Sequence, residues 1–525
     1  MRKPSARQAS RECVAKQFPE LRVQGCNEAP VRHDGDYVLY WMIAARRVRW
    51  NFALERSLDW CRQLGKPLLI FEGLRWDFPW ASDRLRRFVI EGMAANSERL
   101  RKTGVHYYPY AEPSPGAGKG LLLALAFRAA VIVTDEFPCF FLPRMVTAAG
   151  KKLPVRLEQV DSNGLLPMRA SPKEFSTAYA FRRFLQKTLP EHLLQFPAAD
   201  PLSRGGLPRA ATLPKKITTR WPMADLKDVN SVEFGKPASD ERSGATYERL
   251  LGGSAAAEKR LHSFLHLKLD CYSEQRNLAG ADGSSGLSPY LHFGHISAHE
   301  IFSEVARHER WKPERIALRS TGSRTGWWGM SESAENFLDQ VITWRELGFN
   351  FCHFREDFDQ FASLPPWAQQ TLARHAADSR ASQYSLEEFA EARTHDPLWN
   401  AAQTQLLIEG RIHNYLRMLW GKKIIEWTAS PEKALRVMIE LNNRYALDGR
   451  DPNSYSGIFW CLGRYDHPWG PERPIFGTVR YMSSANTARK MNVKEYLREY
   501  SPEGLHAYIA SYSDNAPGNT KEATV

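Results

Sequence analysis

The chain lacks a CxxC motif. Its seven cysteines, Cys13, Cys26, Cys61, Cys139, Cys271, Cys352 and Cys461, are odd in number and scattered. That pattern argues against a disulfide framework and fits reduced thiols in a cytoplasmic compartment, nucleoid-associated if the source is prokaryotic. No apolar run reaches membrane-spanning length, and no apolar core follows the basic N-terminal residues, so neither a membrane span nor a secretory signal is expected. Glu12 and Glu20 weaken an organelle transit peptide. GxGxxG is missing after the first apolar segment, which leaves Rossmann-type dinucleotide binding without support. Gly116, Gly118, Lys119 and Gly120 lack the leading glycine and the Ser/Thr of a phosphate loop, and read as a plain surface loop. His262 and His266 share a helix face, but no third ligand is near and no metal is expected.

What is present points elsewhere. At 525 residues the default is two domains and a linker. A net charge of +12 favours a polyanionic partner such as nucleic acid. Sixteen tryptophans invite a search for stacking or redox roles beyond core filling.

From Tyr37, YVLYWMIA, KPLLIF, VHYYPY, AVIVT and LPVRLEQV read as short buried strands separated by helical stretches. This alternation predicts a doubly wound parallel α/β sheet. Prolines, glycines and charges crowd the stretch from about Ala198 to Ala245, and beyond it the apolar spacing is helical. The expected layout is a loose basic extension over 1–33, an α/β domain over 34–165, a linker over 166–245, a larger all-α domain over 246–500 and a tail over 501–525.

The densest signal lies between Trp399 and Trp460. His413, Arg417, Trp420, Ile424 and Trp427 recur at helical spacing, with Trp420 and Trp427 about 10.5 Å apart along the axis. A buried Arg417 needs a carboxylate, and Asp448 and Asp451 of DGRDPN are the nearest attractive candidates.

Five pieces, YSEQRN at Tyr272, SSGLSPYLHFGHIS at Ser284, WREL at Trp344, HNYLRM at His413 and DGRDPN at Asp448, together resemble the photolyase and cryptochrome superfamily. LHFG, THDPLWNA and RYMSSANTARK are similar to class II cyclobutane pyrimidine dimer photolyases. The resemblance spans about Asp34 to Tyr500. It implies an α/β antenna domain, with a deazaflavin or folate as possible chromophore, and an all-α domain holding FAD, reduced and anionic when active. It further implies light-driven repair of dimers in DNA, with no metal and a monomeric enzyme; a blue-light sensor is the alternative.

Carried over by motif, Tyr272, Ser284, Ser285, Leu287 and Ser288 belong to the pocket for the FAD diphosphate, where Gly286 stands in place of a frequent arginine. Without the resemblance, a helix cap would account for the serines. Arg417 and Asp448, with Gly449, match the pair along the isoalloxazine, and Asn442 matches the amide beside N5; a structural ion pair and a helix cap compete with these roles. Trp420, Trp399 and Trp427 match the proximal, middle and distal members of an electron-transfer chain. Trp344, Trp460 and Met418 match the cavity that receives the flipped dimer. Gln340 stands where a glutamate is usual; it keeps an acceptor but has no carboxylic proton. Arg450, Arg464 and Arg480 are candidate phosphate contacts at the mouth.

Overall fold

The computed structural model describes residues 18–209, 212–226, 250–278 and 282–501. Its first half is built on a six-stranded sheet in the order β1-β6-β5-β2-β3-β4. The strands are β1 (Val23–Gly25), β2 (Tyr37–Met42), β3 (Leu68–Leu74), β4 (His106–Ala111), β5 (Ala129–Asp135) and β6 (Leu157–Val160). β2 to β6 run parallel and match the five apolar runs of the sequence. Every residue of β2 is buried, because alternate side chains feed two different cores. Tyr37, Leu39 and Trp41 pack on one face of the sheet, and Val38, Tyr40 and Met42 on the other.

Two helices against the sheet are capped in the expected way. Asn51 accepts from Leu54 N–H at the start of Phe52–Leu64, and Ser82 from Leu85 N–H at the start of Asp83–Leu100. At the end of β5, Asp135 Oδ2 accepts from the backbone N–H groups of Ile43, Ala44 and Ala45 at 2.8, 2.8 and 2.9 Å. That carboxylate fixes the chain just beyond β2, where the strand order reverses and a crevice opens.

Residues 18–33, expected to be loose, are folded. β1 pairs antiparallel with β6, and Arg22 is fully buried, donating to the carbonyls of Asp161, Gly164 and Leu165 at 3.1, 3.1 and 2.7 Å. The arginine replaces water for three loop carbonyls, which a basic N-terminus does not advertise in sequence.

The second half is helical, with two cores around Trp399 and Phe337. A helix the sequence reading missed, Ala178–His192, lies in the expected linker; Thr177 caps it, and Phe181, Leu185 and Leu189 bury its inner face against the second of these cores. Residues 210–211 and 227–245 of that linker, 1–17 of the extension and 502–525 of the tail lie outside the described residues. No helix among the described residues is long and apolar enough to cross a membrane.

Candidate functional site

The helix Glu332–Leu338 widens into a π-helical turn, Asp339–Trp344, before continuing as Arg345–Phe354. Such widened turns shift side chains off the regular helical register and often serve sites. Asp339 is held by Arg182, which donates to both carboxylate oxygens at 2.7 and 3.1 Å. Both side chains are buried, so the turn is clamped to the Ala178–His192 helix. At its end Trp344 stacks on Trp460, centroids 4.7 Å apart and planes within 17°. Together with Tyr465 they line an open cavity of about 680 Å³. The two rings therefore make one stacked wall, not facing walls. Gln340 is half-buried within the turn, and Met418 Sδ sits 3.9 Å from Cys461 Sγ; neither lines that cavity. Trp460 rides the helix Pro452–Cys461, whose last carbonyl accepts from buried Lys422 Nζ at 2.5 Å. Burial lowers the Lys422 ammonium to about 8.

A second group gathers around Asp448. Arg417 donates to its two oxygens at 3.4 and 3.5 Å. Burial alone would raise the Asp448 carboxyl, but the Arg417 charge, a hydrogen bond from Ser288 and nearby His292 hold it below its ordinary value. Asn442 is buried and donates to Ser454 Oγ at 2.6 Å and Asn443 Oδ1 at 3.2 Å; its own Oδ1 accepts from no donor among the described residues. Gly449 is required locally, since a Cβ there would lie 2.6 Å from the Asn442 carbonyl.

The serine loop carries cations from elsewhere in the chain. Arg411 donates to Ser284 Oγ at 3.3 Å, and Arg260 to the Ser285 carbonyl at 3.2 Å. Gly286 adopts φ +64, and a Cβ on it would meet the Arg260 guanidinium at 2.4 Å. So Arg260 fills the space a side chain at 286 would take. Leu287 is buried in the core beside Tyr272, which packs on Phe264 and Phe337. Sequence reasoning missed both arginines because 25 residues in one case and 127 in the other separate them from their partners in the loop.

Trp399 and Trp420 lie ring over ring, 6.4 Å apart and 4° from parallel, and Trp427 meets Trp399 at 6.0 Å and 70°. All three are buried. Trp427, matched to the distal member, is covered by Tyr384 and His395, at 5.6 and 5.0 Å.

Two of the arginines assigned to the cavity mouth are internal. Arg450, at φ +65, donates to the carbonyls of Asn443, Ala446 and Leu447 at the end of helix Pro431–Tyr445. Arg464 donates to the Ser363 carbonyl at 2.5 Å and pairs with Glu174. Both are almost fully buried. A guanidinium satisfies orphaned carbonyls as readily as phosphates. Arg480 is half-buried over the Trp469 ring.

A further cavity, about 450 Å³, opens at the carboxyl ends of β2, β3 and β4 and is walled by Trp41, Phe71, Tyr110 and, from the helical half, His292. Gly116, Gly118 and Lys119 line it, so the glycine run is a cavity wall and not a plain surface loop.

The chain matches no protein-family model. It is 37% identical over 481 residues to a deoxyribodipyrimidine photo-lyase of Methanothermobacter thermautotrophicus, covering 91% of this chain and 97% of that protein. A deoxyribodipyrimidine photo-lyase of Arabidopsis thaliana is 32% identical over 470 residues, 88% of each. Among solved structures, a class III photolyase from Agrobacterium tumefaciens superposes with TM-score 0.65 at 16% identity over 91% of this chain and 90% of its own. A cryptochrome of Synechocystis sp. PCC6803 gives TM-score 0.62 at 16% identity, over 89% of each chain.

Proposed function

Because this chain belongs to the photolyase and cryptochrome family, we propose that it is a class II deoxyribodipyrimidine photo-lyase, splitting cyclobutane pyrimidine dimers in DNA under blue light. The family implies FAD, and the residues present fit it. Two cations, Arg260 and Arg411, converge on a loop whose Gly286 leaves room for the first of them, and Arg417 pairs with Asp448, both from motifs later in the sequence. Arg260, Arg411 and Ser284 to Ser288 hold the diphosphate, with Tyr272 in the same pocket. Arg417, Asp448 and Asn442 serve the ring system, Asn442 as an acceptor because its N–H groups are already engaged.

Held by these residues, reduced FAD would supply the one-electron donor for light-driven cleavage of the dimer's two ring bonds and would be the electron's final acceptor, with no net redox change. The protein's own part is placement and charge. Asp448, kept ionised by Arg417, fixes that arginine as a standing cation favouring the anionic cofactor. Trp344 and Trp460 offer their faces to the extruded bases in an open cavity. Trp420, Trp399 and Trp427 carry electrons inward to restore the reduced state. The 450 Å³ cavity has the size and apolar lining for a deazaflavin or folate antenna.

The stacked Trp344–Trp460 wall on an open cavity is the observation that carries the repair reading. A blue-light assay on dimer-containing DNA, with chromophores extracted from the same preparation, tests it. Bound FAD without dimer loss would defeat it. Gln340 favours a second reading, a light sensor with weak repair, since it offers no acidic proton. Gln340→Glu is expected to speed dimer splitting by about 10²-fold, the lower end of what a positioned general acid contributes; strong repair by the native chain excludes a sensor-only role.

A further inference from the structure

Tyr179 is more than half exposed, at 58%, although Ala178 and Phe181 beside it are buried. It is not stray surface, because it lines the cavity of Trp344, Trp460 and Tyr465. Its ring is presented by a rigid support. Arg182, three residues on, grips Asp339 of the π-helical turn and donates to the Gly322 carbonyl at 3.3 Å. Gln186 then holds the facing loop at both ends of its amide, accepting from Gly322 N–H at 2.8 Å and donating to the Ser323 carbonyl at 2.9 Å. That loop brings Arg324 to the cavity rim, while Arg183 stands exposed next to the clamping arginine. Neither Arg183 nor Arg324 has a carboxylate partner among the described residues. An exposed ring on an aromatic cavity, with one unpaired guanidinium a helical turn further on and another in the lining of the same cavity, has the chemistry of single-strand nucleic-acid binding: bases stack on the ring and phosphates meet the cations.

We propose that Tyr179, Arg183 and Arg324 form a platform for the single strand of DNA that leads into the cavity, with Tyr179 stacking on a nucleobase of that strand. The assignment rests on the DNA-repair reading of the neighbouring cavity and adds to it a residue set from the segment between the two halves. It accounts for why that segment is helical and clamped to the turn carrying Trp344.

The test is binding in the dark, by fluorescence anisotropy, of a labelled single-stranded oligonucleotide with one thymine dimer and of the same strand undamaged. Tyr179→Ala is expected to weaken binding of the dimer strand by at least about fivefold, and Tyr179→Phe to restore it, because stacking needs the ring and not the hydroxyl. The double variant Arg183→Gln with Arg324→Gln should flatten the dependence of log K on log salt by roughly 1.4, two phosphate contacts on a single strand. An unchanged flavin absorption spectrum in each variant shows that the fold is kept. Native-like affinity in Tyr179→Ala, or an unchanged salt slope in the arginine variant, overturns the platform. If the native protein shows no preference for the dimer strand while Tyr179→Ala still loses affinity for both strands, the repair reading falls and the platform stands.

Discussion

Two tryptophan pairs, built from the same contact, sit in opposite surroundings. Trp399 and Trp420 stack at 6.4 Å in a dry interior, Trp344 and Trp460 at 4.7 Å on the wall of an open cavity. The inner pair has its indole N–H groups engaged by protein, Trp399 with the Trp420 carbonyl at 3.0 Å and Trp420 with Gln403 Oε1 at 2.9 Å. The outer pair has no such partner among the described residues. Stacking alone therefore does not define a role; the fate of the polar edge does. Rings whose edges are satisfied internally are part of the scaffold and suit electron passage. Rings with open edges and faces are available to a ligand.

Removing a ring from each pair separates the two cases most sharply. Trp399→Ala should lose about 3–5 kcal/mol in urea unfolding, as a fully enclosed indole leaves a cavity the core cannot refill. Trp344→Ala should lose far less, and equal losses would erase the distinction. Trp460→Ala is expected to weaken dark binding of dimer DNA by about 1–3 kcal/mol with little change in stability. Trp420→Phe keeps an aromatic filler but takes the donor from buried Gln403 Oε1, and should cost about 1–3 kcal/mol of stability. It should nevertheless slow photoreduction of bound flavin by about tenfold, equivalent to about 1.4 kcal/mol in barrier, while repair by pre-reduced protein is retained. Unchanged photoreduction would remove Trp420 from the electron path.

The smallest effect concerns the support of the outer pair. Lys422 is lowered by burial from 10.5 to about 8. Across that window the unfolded chain holds the proton and the folded one has shed it, so stability rises with pH, by at most about 1.4 kcal/mol per unit. The Lys422→Met variant should lack that rise when unfolding is followed from pH 8 to 10, and a parallel profile would show that Lys422 does not titrate there.

The parallel sheet was legible because β2, buried on both faces, reads as an unbroken apolar run. Helix Ala178–His192 was not, although Phe181, Leu185 and Leu189 recur at a spacing of four behind a Thr177 cap. Its internal proline and the proline-rich stretch that follows masked that signal. The arginines were the least readable. Arg450 and Arg464 turn inward to carbonyls while Arg260 and Arg411 reach a loop far along the chain, and nothing local in the sequence distinguishes these fates. The π-helical turn at Asp339–Trp344 has no pattern of its own either; it is fixed by the Arg182 clamp.

The close approach of Arg260 to Gly286 makes these two positions rivals for one volume. A side chain introduced at 286 would displace the end of a flexible arginine, and a second guanidinium there would repel the first. Across related sequences the two sites should covary as alternatives, a long residue at 286 accompanying a short or uncharged one at 260, so that the loop keeps one cation whichever strand of inheritance provides it.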